Sequence, residues 1–163
     1  MELHSVEAIV KALNAARVKY LIVGGLAVNA HGYVRMTRDV DIVLQLKKEN
    51  IERGLQALFD IGYQLAIPVK AEDFGDAKIR ERWRVEKNMI VLKLWSDAHE
   101  RTPVDIFVYE PFEFEKEYRQ AHRYKLRSGL LAKVVTLDAL LKMKREAGRS
   151  QDLIDIKELR RHR

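Results

Sequence analysis

The chain contains no cysteine among its 163 residues. That absence excludes a disulfide scaffold, thiolate zinc or iron–sulfur ligation and a cysteine nucleophile, and it fits a reducing compartment. Proline is scarce at three residues and glycine at eight, which removes collagen-like and low-complexity classes. No run approaches the roughly 20 apolar residues that a membrane-spanning helix needs. The longest apolar stretches, 21–28 and 129–132, are of core size. The N-terminal MELHSVEAIVKALNAARV has no basic cluster ahead of an unbroken apolar block, so no signal peptide and no membrane association are expected and the chain reads as cytoplasmic.

What is present is 47% apolar and 33% charged residues, the balance of one soluble globular domain. The expected organisation is a single domain over 1–163, with a core at about 5–110 and a basic, mainly helical part at about 111–163. The net charge of +6 is unevenly spread. Residues 116–163 hold 14 Lys and Arg against 6 Asp and Glu, whereas residues 1–115 hold 16 against 18. Such an excess is either a set of solvated helical faces or a surface that attracts polyphosphate or nucleic acid.

Helical spacing of Val6, Ile9, Val10, Leu13 and Ala16 predicts a helix over Ser5–Arg17 with Ser5 as N-cap. Tyr20–Val23 reads as a strand stopped by Gly24-Gly25, and Leu26–His31 as a brief helix. Val40–Leu46, Met89–Trp95 and Val104–Tyr109 read as further strands, and Ile51–Ile61, Thr136–Glu146 and Gln151–Arg160 as helices. The charged segment Ala71–Lys87 reads as a surface helix or a mobile flap. This alternation predicts a small mixed α/β domain.

Three features carry chemistry: Gly24-Gly25, then Asp39-Val40-Asp41, then Asp105. Side chains two apart on a strand share a face, so Asp39 and Asp41 project together, and Asp105 lies in a second apolar run. If the two strands are neighbours, three carboxylates meet on one patch of the sheet. Their repulsion requires a compensating cation, and Mg²⁺ is usually held by one or two carboxylates together with substrate phosphates. The glycine pair allows backbone N–H groups close to a phosphate. Together these features point to metal-dependent phosphoryl or nucleotidyl transfer.

On those residues the chain resembles the DNA polymerase β-type nucleotidyltransferase superfamily. The run Val23–His31 followed by Arg35–Ile42, and the later stretch Lys144–Asp155, are similar to the AbiEii-like, minimal nucleotidyltransferase group. One departure is Gln151, where relatives often carry Lys. The resemblance implies a small mixed sheet with helices packed on it, C-terminal helices, and transfer of a nucleoside monophosphate from an NTP to an acceptor hydroxyl. It implies Asp39, Asp41 and Asp105 as metal ligands and catalytic residues, with Mg²⁺ or Mn²⁺ as the ion. It assigns nucleotide binding to Gly24, Gly25, Thr37, Arg38 and Lys144, with ATP as the expected donor.

Several of these residues have a second reading. Arg38 either touches the triphosphate or makes a structural ion pair, and Lys144 and Arg149 either neutralise phosphate or lie on a solvated face. Asp152 and Asp155, three apart on one helical face, are expected to pair with Arg or Lys. His31 reads as a packed or capping residue, Trp95 as core, and Trp83 as nearer to substrate. The acceptor is a tRNA or other RNA, a protein, or a small molecule such as an aminoglycoside, and a homodimer or a small helical protein is the expected partner. The alternative is a non-catalytic protein of the same fold that binds a partner in a toxin–antitoxin pair.

Overall fold

The four residues Tyr20–Val23 (β1) are all buried, and this strand lies near the middle of a seven-stranded sheet. The computed structural model describes the whole chain, Met1–Arg163. Helix α1 (Leu3–Ala15) precedes β1, and α2 (Gly24–Ala30) follows it without a linker. Then come β2 (Val40–Leu44), α3 (Lys48–Asp60), β3 (Gln64–Leu65), α4 (Ala71–Phe74), α5 (Ala77–Lys87), β4 (Val91–Trp95) and β5 (Val104–Phe107). The chain ends with α6 (Phe114–Arg119), β6 (His122–Lys125), β7 (Leu131–Val134), α7 (Leu137–Ala147) and α8 (Ser150–Arg161). The sheet order is β3-β4-β5-β2-β1-β7-β6. It is mixed: β2 pairs with β5 in parallel and β1 with β7 in parallel, while the remaining pairs are antiparallel.

The sheet is covered on both faces, as expected for central strands that read as nearly unbroken apolar runs. Helices α1 and α3 pack together on one side, where Gly54 of α3 sits against Leu44. Helices α2 and α7 meet on the other, and α8 folds back onto α7. Between these layers 37 apolar side chains form one continuous core, from Val6 on α1 to Leu159 on α8. Each buried Val, Leu or Ile contributes ~1.5–3 kcal/mol, enough to hold a sheet of such short strands together.

Several local expectations need correction. The first helix begins at Leu3 with Glu2 as its cap. Ser5 is a buried residue inside the first turn, its Oγ 2.8 Å from His99 Nδ1. The segment after residue 111 adds two strands as well as helices, so the sheet extends beyond β1 through β7 and β6. The charged segment Ala71–Lys87 is two packed helices: Trp83 is buried and stacks on Phe74, and Arg80 reaches in to donate to the Phe74 carbonyl at 2.6 Å. Trp83 is thus core, while Trp95 at the end of β4 is 41% exposed, the reverse of the expected assignment.

Candidate active site

Register decides whether the aspartates meet. In the parallel pairing of β2 with β5, Asp41 stands opposite Asp105, and in the antiparallel pairing of β1 with β2, Val23 stands opposite Asp41. Two carboxylates are therefore lateral neighbours on one face, directly beside the end of β1 where the glycine turn begins. Asp39 immediately precedes β2, and its charge acts on both of the others.

The electrostatics reflect the crowding. Burial, with Asp105 and Asp39 adding repulsion, pushes the Asp41 carboxyl up to about 7, although Lys144 and Arg149 pull the other way. Burial also raises the Asp105 carboxyl, partly offset by Lys93. Lys93 lies opposite Asp105 across the antiparallel β4–β5 pair, and its Nζ is 2.7 Å from Asp105 Oδ1. This contact is a charge-assisted ion pair on Asp105 Oδ1, and it offsets part of the charge crowded into the site.

Gly24 is indispensable to this arrangement. It has φ +65°, and a Cβ added there would fall 2.1 Å from Asp41 Oδ2. Only a residue without a side chain lets the turn close over the carboxylate. Gly25 is equally tight, since a Cβ would stand 2.3 Å from Thr37 Oγ1. Val23 caps α2 with no side-chain hydrogen bond, so no side chain of the cap takes up the N–H groups of this first turn. Thr37 thus packs on the glycine turn, whereas Arg38 is exposed on the segment leading into β2, where burial alternates residue by residue.

Beneath the site a buried ionic network ties the C-terminal helices to this segment. Lys144 Nζ on α7 lies 2.9 Å from Asp152 Oδ1 and 2.8 Å from Asp155 Oδ2 on α8. Arg35 grips Asp155 with two bonds of 2.7 Å, and Arg149 Nε donates to Asp152 Oδ2 at 2.8 Å. Asp152 and Asp155 therefore do pair with cations, and both carboxyls are held below their usual range. Lys144 is buried in this network yet lines the same cavity as Asp41. His31 caps α2, with Nε2 2.7 Å from the Val135 carbonyl.

A cavity of about 470 Å³ opens between the carboxylate face and the α7–α8 junction. Gly24, Asp41, Asp105, Lys144 and Arg149 form its polar wall, and Val91, Phe107, Tyr109, Pro111 and Met143 its apolar one. Arg84 of α5 stacks 3.9 Å above the Tyr109 ring at this wall. Sequence reasoning missed Lys93 and the apolar wall and gave Arg35 no role. The only local sign of Lys93 was a lone cation on a strand of apolar residues.

The donor set suits a hard divalent cation: carboxylate oxygens side by side on neighbouring strands, in a site that already carries too much negative charge. No three acidic or histidine side chains form a complete protein-only cage. The fit is to an ion gripped by the Asp41 and Asp105 carboxylates and completed by substrate phosphates, as is usual for Mg²⁺.

No protein-family model matches the chain, and no curated protein sequence does. Solved structures do match over nearly its whole length. The lincosamide antibiotic adenylyltransferase LnuA, with lincomycin bound, superposes with a TM-score of 0.65 at 18% identity, covering 98% of this chain and 97% of that one. ANT(2")-Ia in complex with adenylyl-2"-tobramycin gives 0.59 at 11% identity over 96% and 86%. An antigenic nucleotidyltransferase-like protein from Paracoccidioides brasiliensis gives 0.57 at 19% identity over 97% and 75%. The chain has the fold of these proteins.

Proposed function

We propose that this protein is a metal-dependent nucleotidyltransferase that moves a nucleoside monophosphate from an NTP, ATP foremost, to an acceptor hydroxyl. The observation that carries this reading is the side-by-side register of Asp41 and Asp105 next to a glycine turn that touches Asp41. Nucleotidyltransferases among the proteins of similar fold support it, as does the resemblance of residues 23–42 to the polymerase β-type superfamily.

The backbone N–H groups of Gly24 and Gly25 hold the triphosphate. Lys144 and Arg149, on the cavity wall, draw its negative charge toward Asp41. Asp41 and Asp105, with Asp39 adding its charge beside them, would hold Mg²⁺ or Mn²⁺ together with the phosphates, and the ion would supply charge neutralisation and acidify the acceptor hydroxyl. The acceptor oxygen attacks the α-phosphorus, the bond to the bridging oxygen breaks and pyrophosphate leaves. Asp105, beside Asp41 on the neighbouring strand, takes the hydroxyl proton. Phe107, Tyr109, Pro111 and Met143 give the acceptor side an apolar wall suited to a small organic molecule. Lincomycin, bound in one structure of similar fold, belongs to that size class, and another carries adenylyl-2"-tobramycin, a small organic molecule joined to an adenylyl group.

One observation favours a second reading. An ammonium 2.7 Å from Asp105 is where a non-catalytic descendant of the fold would replace the cation and keep the domain for partner binding. A single experiment separates the two. The protein is incubated with each labelled NTP, Mg²⁺ and either a panel of lincosamides and aminoglycosides or total cell extract. Label transferred by wild type and lost in Asp41→Asn supports the enzyme. No transfer, with Mg–NTP binding equal in the two proteins, refutes the site assignment.

A further inference from the structure

A second cavity, of about 410 Å³, lies at the other end of β1. Its walls include Val18, Lys19 and Tyr20, whereas the carboxylates flank Val23 and Gly24, about 13 Å further along at ~3.3 Å per residue. Four cationic side chains line it: Arg17, Lys19, Arg123 and Lys133. Only Lys19 has an acidic partner, Glu115 at 3.4 Å, and that pair is exposed. Lys19 and Lys133 also lie over the ring of Tyr118, 5.5 and 3.8 Å from its centre, so their ammonium groups are held on one aromatic floor.

Two features make this arrangement costly without a ligand. Arg123 and Lys133 stand directly opposite each other on β6 and β7. Like charges in that position repel, and no carboxylate bridges them. Arg17 has φ +55° at the end of α1, where Val18 N closes the helix by bonding to the Leu13 carbonyl. A helix end of this shape normally carries glycine, and a long side chain there is strained. Both costs place positive charge at the mouth of the same cavity.

We propose that this cavity is a phosphate-binding seat for the backbone of a nucleic acid, separate from the carboxylate site. A nucleic acid is favoured over a single small anion because the basic surface continues past the cavity. Arg119, Lys125 and Arg127, all exposed, carry it along the end of α6, the edge strand and the β6–β7 turn. A line of cations matches a polymer of evenly spaced phosphates, whose neutralisation releases counterions and makes binding salt-dependent.

The test is fluorescence anisotropy of a labelled single-stranded RNA oligonucleotide across a salt series, with inorganic triphosphate as the small-anion probe. The double variant Arg123→Gln/Lys133→Gln should bind RNA about tenfold more weakly near 0.1 M salt, with the log–log salt slope shallower by about 1.4. Arg17→Gly should weaken RNA binding while holding or raising the melting temperature, because glycine relieves the positive φ. A purely structural role could not move the two readouts in opposite directions. Asp41→Asn should leave RNA affinity unchanged, so this seat stands or falls independently of nucleotidyl transfer. Unchanged RNA affinity and salt slope in both basic-site variants would overturn the proposal. So would RNA binding that survives while only triphosphate binding is lost.

Discussion

Replacing Asp41 by asparagine should stabilise the metal-free protein, and only above mildly acidic pH. Burial and the neighbouring carboxylates push the Asp41 carboxyl up to about 7 in the fold, from an ordinary aspartate value of about 3.8. A group whose folded pKa is raised binds its proton more tightly when folded, so it adds stability at low pH and loses it as the pH climbs from about 4 to about 7. At pH 8 the carboxylate is charged in both states, and the fold bears the full cost of the crowded site. A difference of about 3 pKa units at 1.36 kcal/mol each sets that cost at up to about 4 kcal/mol. Asparagine keeps the shape and removes the charge, so Asp41→Asn should recover most of it. For a chain of this length the gain corresponds to roughly 8–16 °C in Tm. The assay is thermal unfolding of both proteins from pH 4 to pH 9 in the presence of a chelator. The Tm difference should be near zero at pH 4 and largest above pH 7, and Mg²⁺ or Mn²⁺ should close it by stabilising wild type alone. A difference that is flat with pH, or of opposite sign, would refute the claim that repulsion and burial dominate this site.

The same geometry makes other outcomes testable. Gly24→Ala places a Cβ 2.1 Å from Asp41 Oδ2 at φ +65°, so it should cost ~1–3 kcal/mol by thermal unfolding and abolish stabilisation by divalent ions. Lys144→Met removes the shared partner of Asp152 and Asp155 from a buried network and should lower stability by about 3 kcal/mol in urea titrations, with a loss below ~1 kcal/mol arguing against tight coupling of α7 and α8. Lys93→Met should tighten Mn²⁺ binding by a factor of roughly 1.5–5 in calorimetry without nucleotide, since the exposed ammonium competes for Asp105 with only ~0.2–1 kcal/mol. Weaker Mn²⁺ binding would show instead that Lys93 organises the metal site.

What the sequence revealed of the site follows one rule. Asp41 and Asp105 were legible because carboxylates within short apolar strands break the local pattern, and Gly24-Gly25 because glycine stops a β-branched run. Strands β1, β2, β4 and β5 were legible for the same reason, as compact apolar runs in a charged chain. Strand β6 was not: His122–Lys125 is an edge strand with little burial, so its composition is that of a loop. Residues that obey the surface pattern were equally silent. Lys93 looks like the solvent side of a half-buried strand until the β4–β5 register sets it against Asp105.

Lys144 and Asp152 look like solvated helix residues, eight apart, until Gly148 at φ +62° turns α8 back along α7 and buries both. Arg123 and Lys133 are unremarkable cations until the hairpin sets them face to face. In each case the missing information was a pairing between distant segments, which local periodicity does not encode. The dividing line is therefore energetic. A residue that is locally unfavourable where it stands announces itself in the sequence, and one whose cost arises only from its tertiary neighbour does not. On that argument the β6–β7 cations are the positions where neutral substitution should stabilise the unliganded protein, whereas at Lys93, whose ammonium offsets the Asp105 charge, it should destabilise it. The β6–β7 cations are also the positions where any loss of binding in exchange would expose a role that no motif records.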